Sequence, residues 1–346
     1  MNPILVEALR GGALESCHRG AVAIVDADGA LRLALGDIDQ PVFPRSAIKL
    51  LQALPLLTSG AADALGLDDA ELALACASHN GEAMHAETAA RMLAKAGLDA
   101  GALECGTHWP LLDSAGRALA AAQAVPNALH NNCSGKHAGL LCMACALHGR
   151  GGLRDYAKGY VAPDHPVMRA VSAAIAAATG ADLAQAPRGT DGCSIPTYAL
   201  PLRALALGYA RVATGVGLDP ACAAAAQRLR AAIARAPAMV AGTGRFDTRV
   251  MERLGARVCC KVGAEAVYCA ALPEAGLGVA LKIADGSTAR AAEVTMAAII
   301  EALVPLDAAE ADFMRSLSDV TLRNWNGIAV GRLRAGDALR DALRAG

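Results

Sequence analysis

The chain has 346 residues, enough to bury a large core in one big domain or in two closely packed lobes. Its formal net charge is -1, with 32 basic and 33 acidic residues and no long run of either sign, which argues against nucleic-acid or membrane-surface partners. No apolar run reaches the roughly 18–20 residues that span a bilayer, and Glu7 and Arg10 interrupt the first apolar residues earlier than we expect in a signal-peptide core. We expect a cytoplasmic protein that acts on a small molecule.

The N-terminal segments are predicted to be strands. Residues 4–9, 21–25 and 31–35 are mainly apolar, and the turn 26–29 joins the last two as an antiparallel hairpin. After Pro44 the apolar spacing becomes helical. We predict one helix from Ser46 to about Leu57 and further helices over residues 68–76, 85–96, 136–147, 167–179 and 219–236.

Short β-like runs return in the last third of the chain. They cover residues 258–263, 266–272 and 278–283, and a predicted helix follows at 289–303. Strands at both ends with helices between them predict an α/β fold, in which a mainly antiparallel sheet is built from both termini and flanked by helices. We divide the single catalytic domain into a sheet lobe, 1–45 and about 240–346, and an inserted, mainly helical lobe, about 46–240.

Ser46 and Lys49 are the first candidates for chemistry. Positions i and i+3 of a helix lie on one face, with Cβ atoms roughly 5–6 Å apart, so the amine can reach the hydroxyl. A serine becomes an effective nucleophile when a neighbouring base takes its proton. Taken alone, the pair is equally compatible with a helix-capping serine and a solvated lysine.

Two more motifs follow in a meaningful order, Ser78-His79-Asn80 on a polar turn and Lys261-Val262-Gly263 on a predicted strand. The succession S-x-x-K, S-x-N and K-x-G is typical of serine β-lactamases, penicillin-binding proteins and related serine amidases. Ser78 and Lys261 would then form a second Ser-Lys pair able to relay protons, and Gly263 would let a substrate lie close to the sheet edge. Ser78 follows Ser46 by only 32 residues, which indicates a relative of the β-lactamases and not a member.

Two of the eleven cysteines lie on polar loops, whereas most lie in apolar surroundings typical of reduced core thiols. Cys133 precedes Lys136 and His137, and Cys193 follows Asp191. Two thiols and one nitrogen could form an open site for zinc, which favours thiolate and nitrogen ligands. Free thiols are the alternative.

Together these segments resemble the L-asparaginases of the rhizobial type, the asparaginase II family, over essentially the whole chain. The resemblance rests on five stretches in one order: Phe43-Pro44-Arg45-Ser46-x-x-Lys49, Ser78-His79-Asn80-Gly81-Glu82, Asn132-Cys133-Ser134-Gly135-Lys136-His137, Asp191-Gly192-Cys193 and Lys261-Val262-Gly263-Ala264-Glu265. It implies a fold similar to serine β-lactamases and glutaminases, a homodimer, and hydrolysis of L-asparagine to L-aspartate and ammonia.

The resemblance also implies roles for individual residues. Ser46 and Lys49 match the nucleophile and its base, and Ser78 and Lys261 match the second Ser-Lys pair. The matched zinc ligands, thought to support substrate binding more than the chemistry, are Cys133, Lys136 and Cys193. The candidates for binding the substrate are Arg45 for its carboxylate, Asp191 for its ammonium, and Asn80 and His137.

Three other functions share some of these features. A penicillin-interacting acyl-enzyme would carry the same three motifs. A glutaminase would use the same chemistry on a side chain one methylene longer, a difference worth only about 1–3 kcal/mol in a pocket. A non-catalytic protein that binds amino acids or zinc would bind asparagine without turnover.

Overall fold

The computed structural model describes residues 1–345, which form a mixed α/β fold. The strands are β1 (Ile4–Arg10), β2 (Ala13–Asp26), β3 (Leu31–Leu35), β4 (Pro41–Val42), β5 (Arg188–Thr190), β6 (Pro196–Tyr198), β7 (Leu200–Pro201), β8 (Cys259–Val262), β9 (Val267–Leu272), β10 (Leu277–Ile283), β11 (Asp319–Arg323) and β12 (Ala329–Ala335). The helices are α1 (Lys49–Gln52), α2 (Leu54–Thr58), α3 (Ala61–Ala64), α4 (Asp69–Ala75), α5 (Ala83–Lys95), α6 (Asp113–Ala121), α7 (Ser134–His148), α8 (Leu153–Ala157), α9 (Pro166–Thr179), α10 (Leu202–Thr214), α11 (Pro220–Arg235), α12 (Pro237–Ala241), α13 (Phe246–Leu254), α14 (Glu293–Leu303), α15 (Ala308–Ser318) and α16 (Asp337–Ala345).

Contacts between residues divide the chain into two compact units. Unit 1 consists of Met1–Ala47, Ala199–Gly217 and the chain from Cys260 on, and unit 2 consists of Ile48–Tyr198 and Leu218–Cys259. These bounds differ from those of the predicted lobes at two segments, and the division into lobes stays a prediction. Residues 240–259 belong to unit 2, whereas the predicted sheet lobe begins again at about 240. The segment that contains α10 belongs with the sheet, although it lies in the middle of the helical part of the sequence.

The main sheet of unit 1 is built from both ends of the chain, as predicted. Its strand order is β11-β12-β1-β2-β10-β9-β8, and β3 pairs with β2. Every pairing in it with a defined register is antiparallel, including Val22 with Leu35 in the predicted hairpin and Val6 with Ala335 across the termini. The mixed α/β class and the antiparallel sheet are therefore confirmed.

Helix α10 joins the sheet because β10 has a glycine at the point of contact. A Cβ on Gly278 would lie 2.0 Å from the carbonyl oxygen of Ala206 and 2.2 Å from the amide nitrogen of Ala210. Only a residue without a side chain lets helix and strand backbones approach this closely. This contact explains why 199–217 belongs to unit 1.

Unit 2 is organised around α7, whose residues from Ser134 to Cys145 are all buried. A helix that is buried on every side needs neighbours that approach closely. A Cβ on Gly135 would lie 2.4 Å from the carbonyl oxygen of Leu74, so α7 packs directly against the end of α4. The predicted helices at 68–76, 85–96, 136–147, 167–179 and 219–236 are confirmed with small shifts at their ends.

The prediction of one helix from Ser46 to Leu57 was wrong. The segment contains a 3-10 turn, Arg45–Ile48, followed by the short helices α1 and α2. The break comes before Pro55, which cannot donate a backbone hydrogen bond and therefore begins α2 near its first position.

Helices long and apolar enough to cross a bilayer are absent from residues 1–345.

Candidate active site

The amine of Lys49 is buried at the centre of a polar cluster in unit 2. Its Nζ donates to the carbonyl oxygen of Ala77 at 2.5 Å, to Oγ of Ser78 at 2.8 Å and to Sγ of Cys133 at 3.1 Å. The amine thus contacts both a hydroxyl and a thiol. The structure brings Lys49 to Ser78, the serine that the sequence analysis pairs with Lys261.

Ser78 is fixed by its backbone at the point where α4 has ended. Its N–H donates to the carbonyl oxygen of Val240 at 2.8 Å, and the N–H of His79 donates to the carbonyl oxygen of Asn132 at 3.1 Å. The close contact of Gly135 with α4 brings the start of α7, and with it Cys133, beside Ser78. Sequence reasoning found Ser78 and Cys133 but could not foresee that they are neighbours.

His79, next to Ser78, is held in place by hydrogen bonds and by ring stacking. Its Nδ1 accepts from the N–H of Gly81 at 3.1 Å, so its Nε2 carries the proton and donates to Oγ of Ser134 at 2.9 Å. Its ring stacks on that of His85, with centroids 4.6 Å apart. Burial, together with the neighbouring His85 and Lys49, holds the pKa of His79 well below its usual value, so the ring is neutral.

The three predicted zinc ligands also meet in unit 2. Nζ of Lys136 donates to Sγ of Cys193 at 2.8 Å, and Sγ of Cys193 lies 4.0 Å from Oδ2 of Asp191. Cys133 is close enough to Cys193 for each thiol to shift the pKa of the other. All three side chains are buried. Two sulfurs and one nitrogen therefore converge, with the Lys49 amine beside the first sulfur.

The charge states of Cys133, Lys136 and Cys193 depend on one another. The hydrogen bond from Cys193, helped by the Lys49 and Lys136 amines and opposed by burial, holds the pKa of Cys133 well below its usual range. The same hydrogen bond and burial raise the pKa of Cys193. Burial alone would lower the pKa of Lys136, but the two sulfurs and the Asp191 carboxylate outweigh it and raise the pKa.

Asp191 and Cys193 lie on the tight turn between β5 and β6, in a segment predicted to be a loop. The N–H of Asp191 donates to the carbonyl oxygen of Ile195 at 2.8 Å, and Ser194 has a left-handed φ of 77°. The pairing of β5 with β6 extends to Thr190 and Pro196. The predicted loop is therefore the tip of a small hairpin, which holds Cys193 in place.

His137 is buried on α7 with one ring nitrogen in use. Its Nδ1 lies 2.5 Å from the hydroxyl of Tyr160, whereas its Nε2 is buried and has no hydrogen-bond partner within residues 1–345. Burial and the nearby Lys136 and Lys49 amines hold the pKa of His137 well below its usual value. A neutral ring with one unsatisfied nitrogen is suited to a polar ligand.

Asn80 is held by a segment that the sequence analysis missed. Its Nδ2 donates to the carbonyl oxygen of Thr243 at 3.2 Å, and its Oδ1 accepts from Nη1 of Arg245 at 3.2 Å. Glu82 accepts from the N–H and the hydroxyl of Thr243 at 2.8 and 2.6 Å. Gly242 and Gly244, on either side of Thr243, indicate a tight loop in the sequence. They do not indicate that this loop binds Asn80.

Unit 1 contains Ser46 and Lys261. Ser46 is half-buried in the 3-10 turn, and a Cβ on Gly263 would lie 2.5 Å from the carbonyl oxygen of Pro44 and 2.9 Å from the amide nitrogen of Ala47. The chain beyond β8 therefore lies directly against the backbone around Ser46. On the side where a Cβ would point, the protein's own backbone fills the space beside Gly263, and the expected approach of a substrate to this glycine stays a prediction.

Lys261 is buried on β8, where its Nζ donates to the carbonyl oxygen of Val262 at 2.7 Å. Its predicted partner Ser78 belongs to unit 2, and Ser46 and Lys49 are likewise assigned to different units. The double Ser-Lys arrangement stays a prediction from the sequence motifs.

Left-handed backbone conformations concentrate in the predicted motifs. Within residues 1–345, five residues other than glycine have positive φ, and four of them adjoin the motifs: Arg45, Ser194, Glu265 and Ala266. Such conformations cost of order 1–3 kcal/mol and persist where the surrounding structure imposes them, commonly at functional sites. Arg45, with φ 51°, directly precedes Ser46.

No set of three or more His, Cys, Asp and Glu side chains within residues 1–345 is placed to hold a metal ion. The predicted zinc set has only two members of these types, because its third member is a lysine. Its two sulfurs and one nitrogen match the donor preference of zinc, and Lys136 would have to lose its proton on binding.

No curated protein matches the chain in a sequence comparison. The sequence model of the L-asparaginase II family, in contrast, matches residues 6–335 and so includes every motif described above. The chain therefore belongs to the L-asparaginase II family, which supports an asparaginase-type amidohydrolase activity on a small amide substrate.

Proposed function

We propose that this protein hydrolyses L-asparagine to L-aspartate and ammonia through a serine acyl-enzyme. The observation that carries the proposal is the buried Lys49 amine, which lies 2.8 Å from Oγ of Ser78. Lys49 follows Ser46 by three positions, where a 3-10 turn runs into α1. A buried amine beside a hydroxyl is the arrangement in which lysine serves as a general base.

In the proposed reaction, neutral Lys49 takes the proton of Ser46, and Oγ of Ser46 attacks the side-chain amide carbon. The tetrahedral intermediate collapses as the leaving nitrogen receives a proton through the Ser78 and Lys261 pair, and ammonia departs. Water then gives a proton to the Ser78 and Lys261 pair as it attacks the β-aspartyl ester, and Lys49 returns its proton to Oγ of Ser46 as aspartate is released. Backbone N–H groups at Ser46 and near Lys261 are proposed as the oxyanion donors.

Arg45, Asp191, Asn80 and His137 are proposed to line the substrate site. The unsatisfied Nε2 of His137 supports its inclusion, because a buried polar atom without a partner is rare unless a ligand or water completes it. Family resemblance further leads us to propose a homodimer and a fold related to serine β-lactamases and glutaminases.

Zinc is proposed as a cofactor, held by Cys133, Lys136 and Cys193. A bound zinc ion would supply positive charge that favours substrate binding. The residues of the chain keep the donors in place: the β5–β6 turn positions Cys193, and the start of α7 positions Cys133 and Lys136.

We expect about one zinc ion per chain in protein purified without chelator, and a raised KM for L-asparagine after its removal. The reason is that two buried sulfurs and an amine already converge. Elemental analysis and steady-state kinetics before and after dialysis against chelator are the measurements. Metal-free protein with unchanged kinetics would reject the cofactor.

Ammonia release from L-asparagine and L-glutamine, measured beside acylation by a fluorescent penicillin, tests the function. We expect turnover to be fastest on asparagine. Preferential release from glutamine would make the protein a glutaminase, and stable labelling by the penicillin would make it a penicillin-interacting acyl-enzyme. Binding of asparagine without ammonia release would exclude an enzyme.

A further inference from the structure

Arg245 is a half-buried cation without an acidic partner. Its guanidinium has five N–H donors, and within residues 1–345 its side chain makes one hydrogen bond, from Nη1 to Oδ1 of Asn80 at 3.2 Å. Arg245 is partly shielded from water, so a ligand could compete for its unused donors. The remaining donors are therefore available to a ligand.

The carboxylate of Glu82, which binds the same loop, does not pair with this charge. Glu82 accepts from the N–H and the hydroxyl of Thr243, and these hydrogen bonds outweigh burial and hold its pKa below the usual value. Glu82 forms no ion pair with Arg245 in the described chain. The side-chain partner of Arg245 among residues 1–345 is the neutral amide of Asn80.

The loop that carries Arg245 is fixed against the serine motif. Residues 78–82 bind this loop through the Val240 carbonyl and through both the amide and the carbonyl of Thr243. A Cβ on Gly242, whose φ is 108°, would lie 2.5 Å from Oε1 of Glu82 and 2.7 Å from Nδ2 of Asn80. Arg245 is thus held in place before any ligand binds, which favours specific recognition.

The cation is bound to a residue that is proposed to line the substrate site. Nη1 of Arg245 donates to Oδ1 of Asn80 at 3.2 Å, and Asn80 follows by two positions Ser78, whose Oγ accepts from the Lys49 amine. A substrate carboxylate that lies against Asn80 would therefore be within reach of the guanidinium.

We infer that Arg245 is a specificity-determining residue that binds the α-carboxylate of the substrate, in place of the Arg45 expected from the sequence. The inference rests on the proposed function. Arginine recognises a carboxylate through paired, charge-assisted hydrogen bonds, which lysine cannot reproduce in full.

Steady-state ammonia release by the wild-type protein and Arg245→Gln, on L-asparagine and on its α-carboxamide analogue, tests the inference. In Arg245→Gln we expect KM for asparagine to rise about 10- to 100-fold, with kcat changed much less, because one charge-assisted interaction is lost. Activity on the uncharged analogue should be nearly unchanged, so the ratio of activity on asparagine to activity on the analogue should fall. Arg245→Lys should lie between the two, and it replaces Arg245→Gln if thermal unfolding shows that variant to be unfolded.

Arg253→Gln, at an exposed arginine of α13, the helix that follows Arg245, is the matched control and should behave like wild type. Equal losses on both substrates in Arg245→Gln would show that Arg245 only positions Asn80, and the inference would be overturned. An unchanged KM, or a carboxylate-dependent loss in Arg45→Gln in place of Arg245→Gln, would overturn it as well. If the wild-type protein released no ammonia from asparagine, the proposed function itself would fail, and the inference with it.

Discussion

Replacing Ser46 with alanine is expected to lower kcat for ammonia release from L-asparagine by at least about 1,000-fold, because the acyl-enzyme cannot form without the nucleophile. The change removes one oxygen from a half-buried side chain in the 3-10 turn, so the melting temperature should barely change. Initial rates and thermal unfolding of the purified variant are the measurements.

Alanine variants of two other serines serve as comparisons for this result. Ser59→Ala, at the end of α2, should retain wild-type activity. Ser78→Ala should be slower by about 100-fold or more, as expected for loss of a proton relay. Because Nζ of Lys49 lies 2.8 Å from Oγ of Ser78, a Ser46→Ala variant that kept the wild-type rate beside an inactive Ser78→Ala would assign the nucleophile to Ser78.

The second large effect is expected from Gly263→Ala. The added Cβ would lie 2.5 Å from the carbonyl oxygen of Pro44 and 2.9 Å from the amide nitrogen of Ala47, and both are backbone atoms that cannot rotate away. The 3-10 turn must shift, and with it Ser46. We expect kcat/KM to fall about 100-fold and unfolding free energy to fall by about 1–3 kcal/mol.

The comparison for this variant is Gly116→Ala on the exposed helix α6. Its nearest neighbour would be 3.7 Å away, so it should be neutral or slightly stabilising. Kinetics and denaturant unfolding of both variants are the measurements. A Gly263→Ala protein with wild-type activity would show that the position of Ser46 does not depend on this contact.

The parts of the fold that were predicted correctly are those with a local signal. The strands β2, β3, β9 and β10 have continuous apolar stretches, and α9 and α11 have helical periodicity with Pro at the start. The strands β11 and β12 were missed because charged residues such as Arg323, Arg332 and Arg334 alternate along them. Their place in the sheet comes from pairing with β1, a contact that no short window of sequence contains.

The sequence motifs predicted which residues belong to the candidate site, but not the contacts between them. The motifs identified Ser46, Lys49, Ser78, Cys133 and Cys193 without showing which of them touch. The position of Cys133 beside Lys49 and Ser78 depends on the tight packing of α7 against α4, which Gly135 permits. Arg245 was missed because its partner Asn80 is distant in sequence. Only the folded chain brings the loop that carries Arg245 into contact with Asn80.

The construction of the main sheet from both termini has a consequence for the order in which the protein can fold on the ribosome. Strand β1 emerges first, but its partner β12 is made only when nearly the whole chain has been translated. The central neighbour of β2, strand β10, also comes late. The apolar face of the first hairpin must therefore wait through most of translation, a period in which unpaired strands are prone to aggregate.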